Sequence, residues 1–105
     1  MNTELIINKL ETYINDKDYL LLVSTWLNQL IKYNPRDPIV EIFEEQVVIT
    51  WNQGHYYLNN EILLNGHVNW FFRDRYTSKV SEGLESINDK FHSSEFQRVT
   101  RIATE

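Results

Sequence analysis

Imidazole can ligate a metal or move a proton near neutral pH, so His55, His67 and His92 are the first residues to weigh. A zinc centre needs three or four ligands drawn from His, Cys, Asp and Glu. The chain has no cysteine, no HExxH motif and no close histidine pair, so the spacing predicts no metal site. Isolated turn or surface histidines are the simpler assignment. The densest carboxylates are Glu41, Glu44 and Glu45. Two carboxylates divide acid and base work only where their surroundings split their pKa values. Neighbours on one loop are equally wet, so these three read as a solvated acidic strip, as do Asp16 and Asp18. Ser24 and Ser81 sit in no nucleophile elbow of the G-x-S-x-G type. The three glycines fall singly, so there is no phosphate-cradling loop. Arg73, Arg75 and Lys79 form the one basic knot. It is a candidate anion contact at the start of a predicted helix, whose free amides would add to it. Asp74 dilutes the knot, and pairing of the arginines with nearby acids competes. No catalytic residue, metal set or cofactor motif emerges.

The elements that must position these side chains read as α+β. Residues 46–73, QVVITWNQGHYYLNNEILLNGHVNWFFR, hold most of the aromatic and β-branched weight. Asn65-Gly66 between two apolar runs predicts a tight hairpin with both central residues at positive φ. With two-residue turns at Gln53-Gly54, Asn59-Asn60 and Asn65-Gly66, the stretch becomes an antiparallel meander of about four strands. One face then carries Val47, Ile49, Trp51, Tyr56, Leu58, Leu63, Val68, Trp70 and Phe72, and reads as core. The other carries Val48, Thr50, His55, Tyr57, Ile62, Leu64, His67, Asn69 and Phe71. A bulge at Asn59-Asn60 within one longer strand would exchange the faces beyond it. Residues 39–43 alternate as an edge strand would, with a helical turn as the competing reading.

Helices flank the predicted sheet. The first runs over 3–15, capped by Thr3, with a stripe of Leu5, Ile6, Leu10, Tyr13 and Ile14. Asn15 to Asp18 is either a turn or the wet face of one long helix. A second helix over 19–33 is capped by Asp18 and ended by Asn34-Pro35. A third is expected over 78–91, from Val80, Leu84, Ile87 and Phe91 at 4-3-4 spacing. Gly83 inside it either costs about 1 kcal/mol or marks a close approach. For 95–103 helix is favoured over strand, with Ser94 and Gln97 as a capping box. C-terminal helix or helices would pack on one sheet face, giving a single two-layer domain over 1–105.

Composition narrows the function classes. The formal net charge is −5, with four Lys or Arg against eight Asp or Glu in residues 1–52. That balance argues against a general nucleic-acid binder and favours a protein partner with a basic surface. Four-stranded sheets with exposed aromatics stack RNA bases, but no cation lies between Gln46 and Phe72. No apolar run approaches a membrane span and no signal peptide is visible, and the absence of cysteine suits the cytoplasm. The expected function is a small acidic protein-binding module, of inhibitor, immunity, antitoxin or adaptor type, acting by stoichiometric binding. Its candidate interface is Glu41, Glu44, Glu45, Tyr57, Ile62, Leu64 and Phe71. The half-apolar second face also suggests a homodimer, unless residues 96–103 fold back over it. One alternative is a small-molecule-binding or enzymatic domain with an aromatic-lined pocket around His55 or His67. The other is a structural subunit of an assembly.

Overall fold

The computed structural model describes residues 1–105. Two helices, α1 (Thr3–Leu10) and α2 (Lys17–Leu30), lead through a 3-10 turn at Ile31–Tyr33 into a five-stranded antiparallel meander. Its strands are β1 (Ile39–Phe43), β2 (Gln46–Gln53), β3 (Tyr56–Ile62), β4 (His67–Asp74) and β5 (Val80–Ser86), in that spatial order. The chain ends in α3 (Ser94–Ala103). The expected α+β architecture holds, with one more strand and one fewer mid-chain helix.

Each helix begins where a short polar side chain satisfies a free amide. Asn2 accepts from Leu5 N, Asp16 from Tyr19 N and Ser93 from Phe96 N. The expected caps Thr3, Asp18 and Ser94 each lie inside the helix instead. α1 is shorter than expected and ends at Leu10, with a turn before α2. The 3-10 turn that follows α2 stops at Asn34, which takes the left-handed conformation just before Pro35.

The sheet's core face is nearly the one expected, for an unexpected reason. Asn59-Asn60 is not a turn: β3 runs unbroken through it. That alone would exchange the faces beyond Asn60. The next hairpin restores them. Gly66 N donates to Leu63 O, Leu63 N donates to His67 O, and only Gly66 has positive φ. This is a three-residue loop ending in a glycine bulge rather than a two-residue turn, and it pairs Ile62 with Val68. Two one-residue errors cancel, so Val68, Trp70 and Phe72 face inward as expected, with Asn60 and Ile62 in place of Leu63. The β2–β3 turn is Gly54-His55, one residue beyond the expected position.

The expected helix over 78–91 is the second correction. Val80–Ser86 pairs with β4 as an edge strand, and Val80, Leu84 and Phe91 of the apolar stripe are exposed. Gly83 explains the choice. A Cβ there would lie 2.8 Å from the Trp70 indole, so glycine leaves room for the ring against the β5 backbone. In turn, the Trp70 indole donates to Glu85, two residues along.

All three helices lie on one face. The core joins Val23, Trp26, Leu27 and Leu30 of α2 and Phe96 and Val99 of α3 to the inward residues of β2, β3 and β4. The Tyr19 hydroxyl closes one end, donating to Ile62 O and accepting from Val47 N, both at 2.6 Å. The Trp26 indole donates to Asn60 Oδ1 at 2.9 Å, which satisfies the side-chain oxygen of the one asparagine on the core face of β3 and leaves its buried Nδ2 unpaired.

Candidate functional site

The stripe of α1 does two jobs. Leu10, and Ile14 just beyond the helix, are buried in the core, while Leu5 and Tyr13 are exposed. Their free side overhangs the inner face of β1, where Val40 and Ile42 are only partly covered. Between them lies a groove of about 550 Å³, lined chiefly by Leu5, Ile6, Leu10, Tyr13, Val40 and Ile42. Its volume falls within the range of ligand sites. Asn2, Lys9 and Asp37 supply polar groups at its margin. The link into β1 is held from several sides: Trp51 Nε1 donates to Arg36 O, Arg36 N to Thr104 O, and an Arg36 Nη to Ala103 O.

β1 is apolar on both sides. Ile39 and Phe43 on its outer side are 57% and 67% exposed. The acidic strip adjoins it. Glu41 lies mid-strand, and Glu44-Glu45 form the β1–β2 turn, both at positive φ. A left-handed residue other than glycine costs roughly 1–2 kcal/mol. Neither carboxylate makes an ion pair; the ion pairs present are Met1 with Asp37 and Glu95 with Arg98. These glutamates therefore carry a backbone cost that no ion pair offsets. The sequence marked the strip but missed the groove beside it. The readable signal was an excess of apolar residues: four in an eight-residue helix, and four in a five-residue strand.

The other candidate interface residues separate. Tyr57 and Phe71 share the outer sheet face, ring centroids 6.1 Å apart. Leu64 is exposed in the β3–β4 loop. Ile62 is fully buried on the helix side, because β3 continues through Asn59-Asn60. The alternative in which residues 96–103 fold back over the outer face does not occur, since α3 packs against Trp26 and Trp70.

His55 and His67 flank opposite ends of β3 and share no pocket. His55 packs on Tyr76, with ring centroids 3.6 Å apart. His67 is tied to Asn65 across the hairpin, which accepts from its backbone amide. Neither lines the groove. The buried histidine is His92. Gln29 Nε2 donates to Ile87 O at 2.7 Å, which turns the Gln29 oxygen toward His92 Nε2 at 2.9 Å. Nε2 therefore carries the proton, and Nδ1 accepts from the Tyr33 hydroxyl at 2.6 Å. Burial lowers the His92 pKa, Lys32 adds to the effect, and Glu85 opposes it. Burial likewise raises the Tyr33 pKa, with Arg101 opposing. Beside them Glu85 accepts from Ser93 N at 2.7 Å, Ser93 Oγ at 2.9 Å and Trp70 Nε1 at 3.2 Å. Ser93 thus faces a carboxylate rather than an imidazole, and both His92 nitrogens are occupied. The cluster joins α2, β4, β5 and α3, and its geometry is that of a lock.

The basic knot disperses too. No helix starts beside it, which removes the expected amide contribution. Arg75 is engaged by the β2–β3 turn: it donates to Gly54 O at 3.0 Å and to Asn52 Oδ1, and its amide reaches His55 O. Arg73 lies on the outer face opposite Tyr57 and Val80, and Lys79 is exposed in the β4–β5 loop. The pairing of these arginines with acids does not form. Asp74 instead receives the amides of Tyr76 and Thr77; burial raises its pKa, but those hydrogen bonds outweigh it and leave the pKa lowered. No three His, Asp or Glu side chains gather in metal-ligating geometry. No helix is long and apolar enough to cross a membrane. Compared with known proteins, the chain matches no family model, no curated protein and no solved structure.

Proposed function

We propose that this chain is a stoichiometric protein-binding module whose working surface is the groove between α1 and β1. The observation that carries the reading is the groove itself, apolar in lining and set beside the strained acidic turn at Glu44-Glu45. Strain kept without return in stability is more often found at working surfaces than elsewhere. The partner inserts apolar side chains and presents cations to Glu41, Glu44 and Glu45, in the manner of an inhibitor, immunity factor or adaptor. Capture from the native host tests this, with Leu5→Glu and Phe71→Glu as paired baits. Both positions are at least partly exposed, so both variants should fold. Loss of the partner with Leu5→Glu and retention with Phe71→Glu is expected. A partner held equally by Leu5→Glu would refute the groove.

Two other readings have an observation each. The groove's volume also suits a small apolar molecule, although Tyr13 is its sole aromatic and no histidine reaches it. A lipid-like probe displacing the partner would favour that reading. A homodimer would use the outer sheet face, which no helix covers and where Tyr57 and Phe71 pack together. Sedimentation equilibrium reads it directly. A dimer that Phe71→Glu dissociates supports pairing, and a monomer at tens of micromolar ends it.

A further inference from the structure

Building on the groove reading, we infer that β1 accepts an added strand, an extended segment of a partner that alternates apolar and basic side chains. β1 and β5 are the two edges of the sheet, and they differ in protection. β5 carries Glu82 on its outer side and Glu85 pointing inward, and inward charge is one way sheets block pairing at an edge. β1 has no such device. It has no lysine, proline or bulge within its five residues, and Glu41 is its single charge.

Geometry sets what the added strand must look like. A two-residue turn closes β1 on β2, so Phe43 and Gln46 exchange hydrogen bonds, as do Glu41 with Val48 and Ile39 with Thr50. The backbone N–H and C=O groups of Val40 and Ile42 are then left facing the open edge. Those same residues turn their side chains toward the groove under α1. A strand added here extends the sheet by one place and lies beneath the overhang of Leu5 and Tyr13. Its inward side chains fill the apolar space, and its backbone meets the free groups. Its outward side chains run beside Glu41, with the Glu44-Glu45 turn just past the end of β1.

That charge pattern decides between a second copy and a different partner. Antiparallel pairing of β1 with β1 across all five residues places Glu41 opposite Glu41. Like charges directly opposite each other destabilise a strand pair. Lysine or arginine at the outward positions converts the same contacts to attraction.

The probe is a short synthetic peptide of alternating lysine and valine, with a glutamate–valine and a lysine–serine peptide as controls. The expected result is slower amide exchange at Val40 and Ile42, with resonance shifts at Leu5 and Tyr13, for the lysine–valine peptide alone. Glu41→Lys should weaken that peptide by roughly tenfold and admit the glutamate–valine one. Shifts at Leu5 and Tyr13 without slower exchange at Val40 and Ile42 would overturn strand addition and leave the groove reading intact. Slower exchange along β5 would overturn the choice of edge. No change at β1 with peptide in large excess would overturn the proposal as well, and the groove would then be judged by the Leu5→Glu capture alone.

Discussion

Three of the five buried polar side chains are matched to aromatic rings. Asn60 receives the Trp26 indole, Glu85 receives the Trp70 indole, and His92 sits between Tyr33 and Gln29. Such groups stabilise only while every partner is present, because an unmatched buried donor costs about 1–3 kcal/mol. His92 adds a pH dependence of defined sign. Its folded pKa lies below its unfolded value, so the unfolded chain takes up the proton first. The contribution is complete above the unfolded value of about 6.5 and is lost as pH falls below it, by up to about 1.4 kcal/mol per pH unit until the folded histidine also titrates. Urea unfolding between pH 7.5 and 5 should show this slope, and His92→Phe should flatten it while lowering stability throughout. Gly83→Ala is the sharpest steric test. Its Cβ would meet the Trp70 ring at 2.8 Å, so a loss of about 1–3 kcal/mol is expected in the same experiment. An unchanged midpoint would mean that the ring moves aside freely.

Among the elements, the turns carry the information about register and about function. The β3–β4 loop bulges at Gly66 and so sets the face that β4 presents. The β1–β2 turn holds two glutamates in the left-handed region, where asparagine and glycine are at ease. Replacing Glu44-Glu45 by Asn-Gly should raise stability by about 1 kcal/mol or more and weaken partner binding. Thermal unfolding checks the first effect, and titration calorimetry with the captured partner checks the second. A gain in stability with unchanged affinity would show that the turn is outside the interface.

Over the whole molecule, stacking three helices on one face leaves the outer sheet face open and puts α1 over an edge strand. The acidic strip then lies along a single rim beside the groove. Association through that rim is long-range and screened by salt. Partner affinity should fall as ionic strength rises, chiefly through a slower on-rate. Reversing Glu41, Glu44 and Glu45 together should have the same effect at low salt, with the fold intact, because none of them is ion-paired. Stopped-flow binding across a salt series measures both.

Sequence by itself determined the class of fold, the meander, the inward set at β2 and β4 and the acidic strip. Those follow from alternation, from turn residues and from charge counts, all of which are local. The tertiary structure decided the rest. The 4-3-4 stripe of Val80, Leu84, Ile87 and Phe91 suits a helix, yet β4 needed a neighbour and Trp70 needed the space at Gly83. Asn59-Asn60 suits a turn, yet Trp26 needed an acceptor on the core face. His92 gained its partners from segments about 60 residues away, which no local spacing reveals. The groove was hidden for the same reason. Leu5 and Tyr13 read as part of a helix stripe, and Val40 and Ile42 as part of an edge strand, until packing brought α1 over β1 and left a groove between them.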